Sequence, residues 1–184
     1  MKLGKMLGAG LATLGSLLLI AAPAGATTAS ATLTAGSLGF AGTPGNVTFP
    51  SAALNGQNKT IQAAQPLDVA DATGSGAGWN VTSTSTFFTS GSNTLPAGAF
   101  LSSAPTATCD TNVTCTTAGT STVAYPYFMP AGTTAPTATK LFTAPAGTGM
   151  GDQTLSPTWN LGIPANAYAG NYTSTWTLSL VSGP

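Results

Sequence analysis

The ionisable residues limit the chemistry that this chain can perform. The sequence has no histidine, and all of its basic and acidic side chains are lysines and aspartates. A serine, threonine or cysteine nucleophile needs a base, and after the first five residues only Lys59, Lys140 or an aspartate remains for that role. We therefore predict a protein that is not an enzyme and that uses no cofactor.

The few remaining reactive residues favour structural roles. Asp68 and Asp71 do not match the spacing of a calcium loop, which indicates solvated or capping carboxylates. The glycine-rich stretch Gly74–Gly78 lacks the following Lys-Ser/Thr of a phosphate loop and is interpreted as a turn. Cys109 and Cys115 are close in sequence, so in an exported protein we expect a disulfide, with reduced thiols as the alternative. No metal site is expected, because histidine and a second cysteine pair are lacking.

The N-terminus has the pattern of a secretory signal peptide. Lys2 and Lys5 form a basic region, residues 7–22 are largely apolar, and Ala24-Gly25-Ala26 is a small-residue cleavage site. The mature chain is expected to begin at Thr27, with an uncleaved anchor as the rival interpretation. We therefore predict a secreted, extracellular protein with a signal peptide over residues 1–26.

The mature chain offers little charge for recognition. After residue 26 it has two lysines against four aspartates, a formal charge of −2. Two lysines cannot form a basic phosphate-binding surface, which argues against nucleic acid and anionic membranes as partners. Residues 178–184 show no sortase-type anchor, so we expect attachment to a surface to be non-covalent.

Short alternating runs of apolar residues predict an all-β domain. Glycine, proline, asparagine and serine clusters separate these runs, which show no sustained helical period. We predict one antiparallel β-sandwich or jelly-roll-like domain over residues 27–184, with an irregular loop or insertion over about 102–145. The predicted strands are residues 31–40, 46–49, 59–64, 67–71, 79–88, 99–103, 122–128, 139–143, 158–163 and 171–181.

The three tryptophans are candidate platforms for sugar rings, or else core residues. Trp176 shares the parity of Leu178 and Leu180 in the last strand, and Trp159 that of Leu161, so a core position is favoured for these two. Trp79 follows the glycine-rich turn and is predicted to be partly exposed.

A second aromatic group lies in the irregular middle of the chain. Tyr125, Tyr127 and Phe128 are interrupted by Pro126. They are interpreted either as an exposed aromatic contact or as an edge strand that contains a proline, and the sequence leaves both open.

Two segments contain motifs built around a Trp-x-aliphatic step. Residues 67–82 have a strand ending in aspartate, a glycine-rich turn and Gly-Trp-x-aliphatic. Residues 161–178 have Ile-Pro, Ala-Gly-x-Tyr and a closing Trp-x-Leu. These motifs resemble the two signatures of the WxL domain, a family of Gram-positive cell-surface proteins, with Val81 where the family usually has leucine. The resemblance implies non-covalent binding to the cell wall, with peptidoglycan as ligand and other surface proteins as partners. Carried over by motif, the binding residues are Trp79, Val81, Trp176 and Leu178.

Two other functions remain open at this level. The threonine-rich strands and low charge suit a structural subunit that assembles into a surface fibre or layer, with Thr27 to Thr34 as a candidate donor strand. An adhesin that recognises glycans or host proteins would differ from a wall-binding protein only in its ligand.

Overall fold

The computed structural model describes residues 27–184, so the predicted signal peptide lies outside the described residues. The chain divides after Leu33, and Thr34–Pro184 forms one compact unit. Residues 27–33 are exposed and have no regular secondary structure. Within residues 27–184 no helix has the length and apolar character to cross a membrane.

The described residues form β-strands and no helix, which confirms the all-β prediction. Most strands pair in antiparallel fashion, and several sheets pack together. The strands are β1 (Leu38–Phe40), β2 (Lys59–Ala64), β3 (Leu67–Asp71), β4 (Trp79–Thr86), β5 (Thr89–Ser90), β6 (Asn93–Thr94), β7 (Phe100–Leu101), β8 (Thr106–Cys109), β9 (Tyr127–Phe128), β10 (Ala131–Gly132), β11 (Thr139–Ala144), β12 (Gly151–Ser156), β13 (Thr158–Ile163) and β14 (Trp176–Ser182).

A long two-stranded ribbon links two of the sheets. Strands β2 and β3 pair with β13 and β12 in one continuous register, from Lys59 opposite Ile163 to Asp71 opposite Gly151. The ribbon is interrupted where Pro66 lies on one side and Pro157 on the other, because proline has no N–H for the ladder. The ribbon thus contributes to a β3 sheet, in the order β1-β3-β12-β8, and to a β13 sheet, in the order β2-β13-β7-β9.

Strand β4 is the centre of the third sheet. It pairs with β14 along one edge, and with β11 and the short parallel strand β10 along the other. The β13 sheet packs against this β4 sheet: the rings of Trp159 and Trp176 lie 5.1 Å apart, and the Tyr127 hydroxyl contacts Ser83 Oγ at 2.9 Å. The predicted sandwich therefore has β2 and β14 on the same side, each at the edge of its sheet.

Several predicted strands differ from the structure. The strand expected over residues 31–40 is reduced to β1, and residues 46–49 form no strand. Residues 102–145, expected as loops or an insertion, contribute β8, β9, β10 and β11 to the sheets. Strand β12 was not predicted, because its buried positions alternate between Gln153 and Leu155 and so do not form an apolar pattern.

Candidate functional site

Trp79 is a core residue, so the prediction that it is partly exposed is wrong. Its side chain is 0% exposed, its Nε1 donates to the carbonyl oxygen of Gly149 at 2.9 Å, and its ring lies 5.7 Å from that of Phe142. Val81, the second residue of the first motif, is equally buried. Neither side chain can contact a ligand in the folded protein.

The glycine-rich segment before Trp79 is what takes this ring inward. Gly74, Gly76 and Gly78 all have positive φ, a conformation that other residues adopt only with strain. A Cβ on Gly78 would also collide with the backbone at Ala144 and Pro145. At the start of the segment, Asp71 Oδ1 accepts hydrogen bonds from the backbone N–H and the hydroxyl of Thr73, a capping role that the sequence predicted.

The second motif is positioned differently. Trp159 is fully buried as predicted, whereas Trp176 and Leu178 are only half-buried. Trp176 packs edge-on against Phe49 and Phe88, with ring centroids 6.4 and 6.2 Å away, and its Nε1 donates to Ser174 Oγ. Its remaining surface faces a groove.

This β2–β14 groove has a volume of about 1430 Å³. It is bounded by the non-strand segments 43–54 and 167–175, and strands β2, β13 and β14 contribute apolar side chains. None of the described residues that line it is charged. The strand residues on its wall and floor include Ile61, Leu161, Ile163, Trp176 and Leu178.

The strands that border the groove have free edges. In the part of the chain that the structure describes, β2 pairs only with β13 and β14 pairs only with β4. Their inward side chains are half-buried, as Ile61 and Leu180 show, although equivalent residues on inner strands, such as Val69 and Val81, are fully buried. The sandwich is therefore incompletely closed along the side where β2 and β14 lie.

Two tyrosines lie at the mouth of the groove. Tyr168 is 71% exposed, and its carbonyl oxygen accepts a hydrogen bond from the Tyr172 hydroxyl at 3.0 Å. Tyr172 is half-buried and packs against the core. Tyr172 is the tyrosine of the Ala-Gly-x-Tyr motif, whereas Tyr168, which follows the Ile-Pro of that motif, was missed by sequence reasoning.

The other aromatic candidates form the edge strand β9 and its approach. The Tyr127 side chain is buried, and its hydroxyl lies 2.9 Å from both Ser83 Oγ and Thr139 Oγ1. The Tyr125 hydroxyl donates to the carbonyl oxygen of Leu141, and burial raises the pKa of Tyr125. Only Phe128 is strongly exposed, at 64%, and it stacks on Phe100. Of the two interpretations, the structure matches the edge strand.

The predicted disulfide between Cys109 and Cys115 is present. It closes a short loop at the end of β8, with Cα atoms 5.5 Å apart. The chain that follows it is bonded to β12 and its approach, since Thr116 N donates to the Met150 carbonyl oxygen. The disulfide therefore stabilises an edge of the β3 sheet that lies away from the residues of the β2–β14 groove.

A group of three aspartates was missed by sequence reasoning. Carboxylate oxygens of Asp68, Asp110 and Asp152 lie within 4.8 Å of one another, on and beside the neighbouring strands β3, β12 and β8. Partial desolvation, then the negative charges of Asp152 and Asp110, raise the pKa of Asp68. Hard oxygen ligands of this kind suit a cation chemically. The group could be found only by first predicting β8 and β12.

Compared with protein-family models, curated proteins and solved structures, the chain matches none. The resemblance to the WxL family therefore stays a prediction from its two motifs.

Proposed function

We propose that this chain is an exported, non-catalytic structural subunit that joins a surface assembly through the β2–β14 groove. The observation that carries the proposal is the pair of free strand edges on either side of an apolar, uncharged depression. Such edges present backbone N–H and C=O groups to an added strand, and the side-chain depression between them selects its residues.

The chemistry of the groove favours a polypeptide strand as its occupant. Side chains such as Ile61 and Leu178 offer apolar contacts, and the edges of β2 and β14 offer main-chain hydrogen bonds. A ligand with carboxylates and ammonium groups, such as the peptide stems of peptidoglycan, would find no opposite charge among the described lining residues. An uncharged strand would contact the apolar side chains of the groove and also hydrogen-bond to the backbone N–H and C=O groups of the strand edges.

Non-covalent attachment to the cell wall is the second candidate. Tyr168 and Tyr172 at the mouth of the groove favour it, because exposed aromatic rings can stack on the apolar faces of sugars. The motif resemblance also supports it through Trp176 and Leu178, the two motif residues that line the groove. Trp79 and Val81 would then support the fold and not touch the wall.

Assembly is tested by placing one charge inside the groove. Ile61→Lys puts an ammonium on the groove side of β2, and Thr60→Lys puts the same charge on the exposed side of that strand. Mature protein should form concentration-dependent oligomers in sedimentation velocity and ordered assemblies in electron microscopy. Ile61→Lys should abolish them at unchanged secondary structure, and Thr60→Lys should not. A wild-type protein that stays a monomer at all concentrations would contradict the proposal.

The wall-binding candidate is tested on the same proteins. Mature protein is mixed with insoluble peptidoglycan, and the bound fraction is measured after sedimentation. Tyr168→Ala should reduce binding if the exposed tyrosine stacks on sugar, whereas Phe128→Ala, an equally exposed aromatic outside the groove, should not. Equal recovery of wild type with and without peptidoglycan would eliminate this candidate.

A further inference from the structure

The N-terminal segment of the mature chain has the pattern of a strand. Residues 27–35 read Thr-Thr-Ala-Ser-Ala-Thr-Leu-Thr-Ala, so apolar side chains alternate with hydroxyl side chains. This period of two places the apolar residues Ala29, Ala31, Leu33 and Ala35 on one face. The segment has no charged side chain and no proline, so its backbone N–H groups can donate to a neighbouring strand.

Within the described chain, this strand-like segment does not pair with any other strand. Residues 27–35 are exposed and belong to no sheet. Leu33 is 91% exposed, more than any other large apolar side chain of the described residues. A strand-like segment with one apolar face is complementary to a surface that has free edges and an apolar floor.

We infer that residues 27–35 of one copy lie as an extended strand in the β2–β14 groove of a second copy, with Leu33 on the groove floor. This inference rests on the proposed function and names the partner at its site. Neither surface has a charged side chain in the described chain, so association leaves no side-chain ion desolvated. The α-amino group of a chain that begins at Thr27 lies at the end of the segment, where it stays in water.

The lengths of the two surfaces agree. A strand of nine residues spans about 30 Å, and the six residues of β2 span about 20 Å. The segment is therefore long enough to pair along the whole edge of β2. Its small side chains, apart from Leu33, suit a groove whose floor already contains the rings of Phe49, Phe88 and Trp176.

The donor is assigned to a second copy because residues 27–35 belong to no sheet of their own chain in the part that the structure describes. The segment and the groove are thus both available on each copy for contact with a neighbour.

An interface between two different surfaces has a consequence for assembly. The donor segment and the groove lie on every copy, so each chain can give a strand to one neighbour and accept a strand from another. Such head-to-tail contacts form open filaments unless the rotation between copies closes a ring. The inference therefore predicts open filaments, or a closed ring or a strand-exchanged dimer where the rotation between copies permits closure.

The test is a complementation experiment on the mature chain. Leu33→Asp damages only the donor face, and Ile61→Lys damages only the groove. Each variant alone should stay a monomer in sedimentation velocity. For Leu33→Asp, loss of one buried leucine should weaken association about tenfold or more. Mixed in equal amounts, they should form a species of twice the monomer mass, because one intact donor then meets one intact groove.

Control variants separate the assignment of the donor segment from the assignment of the groove. Thr32→Asp puts the same charge on the hydroxyl face of the donor, and it should assemble like wild type. Association by Leu33→Asp equal to that of Thr32→Asp, together with no dimer in the mixture, would overturn the donor assignment. If Ile61→Lys still abolished assembly in that case, the groove would remain the assembly site with another occupant. If wild type itself stayed a monomer, both proposals would fail together.

Discussion

The burial of the tryptophans predicts an order of stabilities that sequence reasoning had the other way round. Trp79 is enclosed on all sides, whereas Trp176 keeps part of its ring in the groove. We expect Trp79→Ala to destabilise the folded protein about twice as much as Trp176→Ala. Sequence alone indicated the reverse, because it assigned Trp176 to the core and exposure to Trp79.

The magnitudes follow from buried area. A tryptophan side chain buries about 200 Å² when enclosed, which at about 25 cal/mol per Å² corresponds to about 5 kcal/mol. Trp79→Ala also leaves the Gly149 carbonyl oxygen without its donor, which costs a further 1–3 kcal/mol or so unless water enters. Trp176 keeps at most about a third of its surface exposed, so about two thirds or more of that area is buried and Trp176→Ala should cost about 3–4 kcal/mol.

Urea unfolding followed by far-ultraviolet circular dichroism measures both values. Dilute mature protein keeps the comparison on the monomer, and each variant's own folded and unfolded baselines define its transition. The melting temperature should fall by about 12–30 °C for Trp79→Ala and about half as much for Trp176→Ala. Tyr168→Ala, an exposed aromatic, should change the free energy of unfolding by less than about 0.5 kcal/mol.

Two results would refute this reasoning. One is a Trp176→Ala variant that loses as much stability as Trp79→Ala. The other is a Trp79→Phe variant as stable as wild type, because phenylalanine keeps most of the packing against Phe142 but cannot donate to Gly149. The expected loss for Trp79→Phe is about 1–3 kcal/mol.

Three further changes test other parts of the structure. Replacing Cys109 and Cys115 by serine should lower the free energy of unfolding by about 2 kcal/mol in urea titrations, as expected for a short closed loop. The raised pKa of Asp68 means that the folded state binds this proton more tightly than the unfolded state does. The free energy of unfolding should therefore fall as pH rises from 3.8 through the raised pKa. Asp68→Asn cannot titrate and should flatten this part of the pH profile. Gly147 and Gly149 have nearly the same positive φ, so alanine is strained by its backbone at either position. Only a Cβ at Gly149 also meets Trp79, so Gly149→Ala should lower the melting temperature more than Gly147→Ala.

Part of the fold could be predicted from sequence because its signals are local. The bounds predicted for β2, β3 and β13 are those of the structure, and prolines mark several of them: Pro66 lies between β2 and β3, and Pro157 and Pro164 enclose β13. The segment 46–49 alternates polar and apolar residues, and Val47 and Phe49 do pack against the core. It forms no strand because no ladder partner lies beside it, and a single sequence does not show where partners are.

The errors at the candidate site have a long-range cause. Trp79 is buried because Gly149, seventy residues away, supplies both its acceptor and the space for its ring. Strand β12 is hidden because Gln153 occupies a core position, where its Oε1 accepts from Ala118 N. Neither arrangement produces a pattern in the residues next to it in sequence, so neither could be predicted from local sequence.

The groove shows how one pattern can have two structural outcomes. Strands β13 and β14 both alternate apolar and polar residues, and by pattern alone both predict a core face. In the structure Trp159 on β13 is fully buried, while Trp176 and Leu178 on β14 are covered only in part. The pattern therefore predicts that one face of a strand is buried, and only the structure shows whether residues of the same chain bury it. Here β14 has the pattern of a covered strand without a complete cover, and residues 27–35 have the pattern of a strand without a sheet.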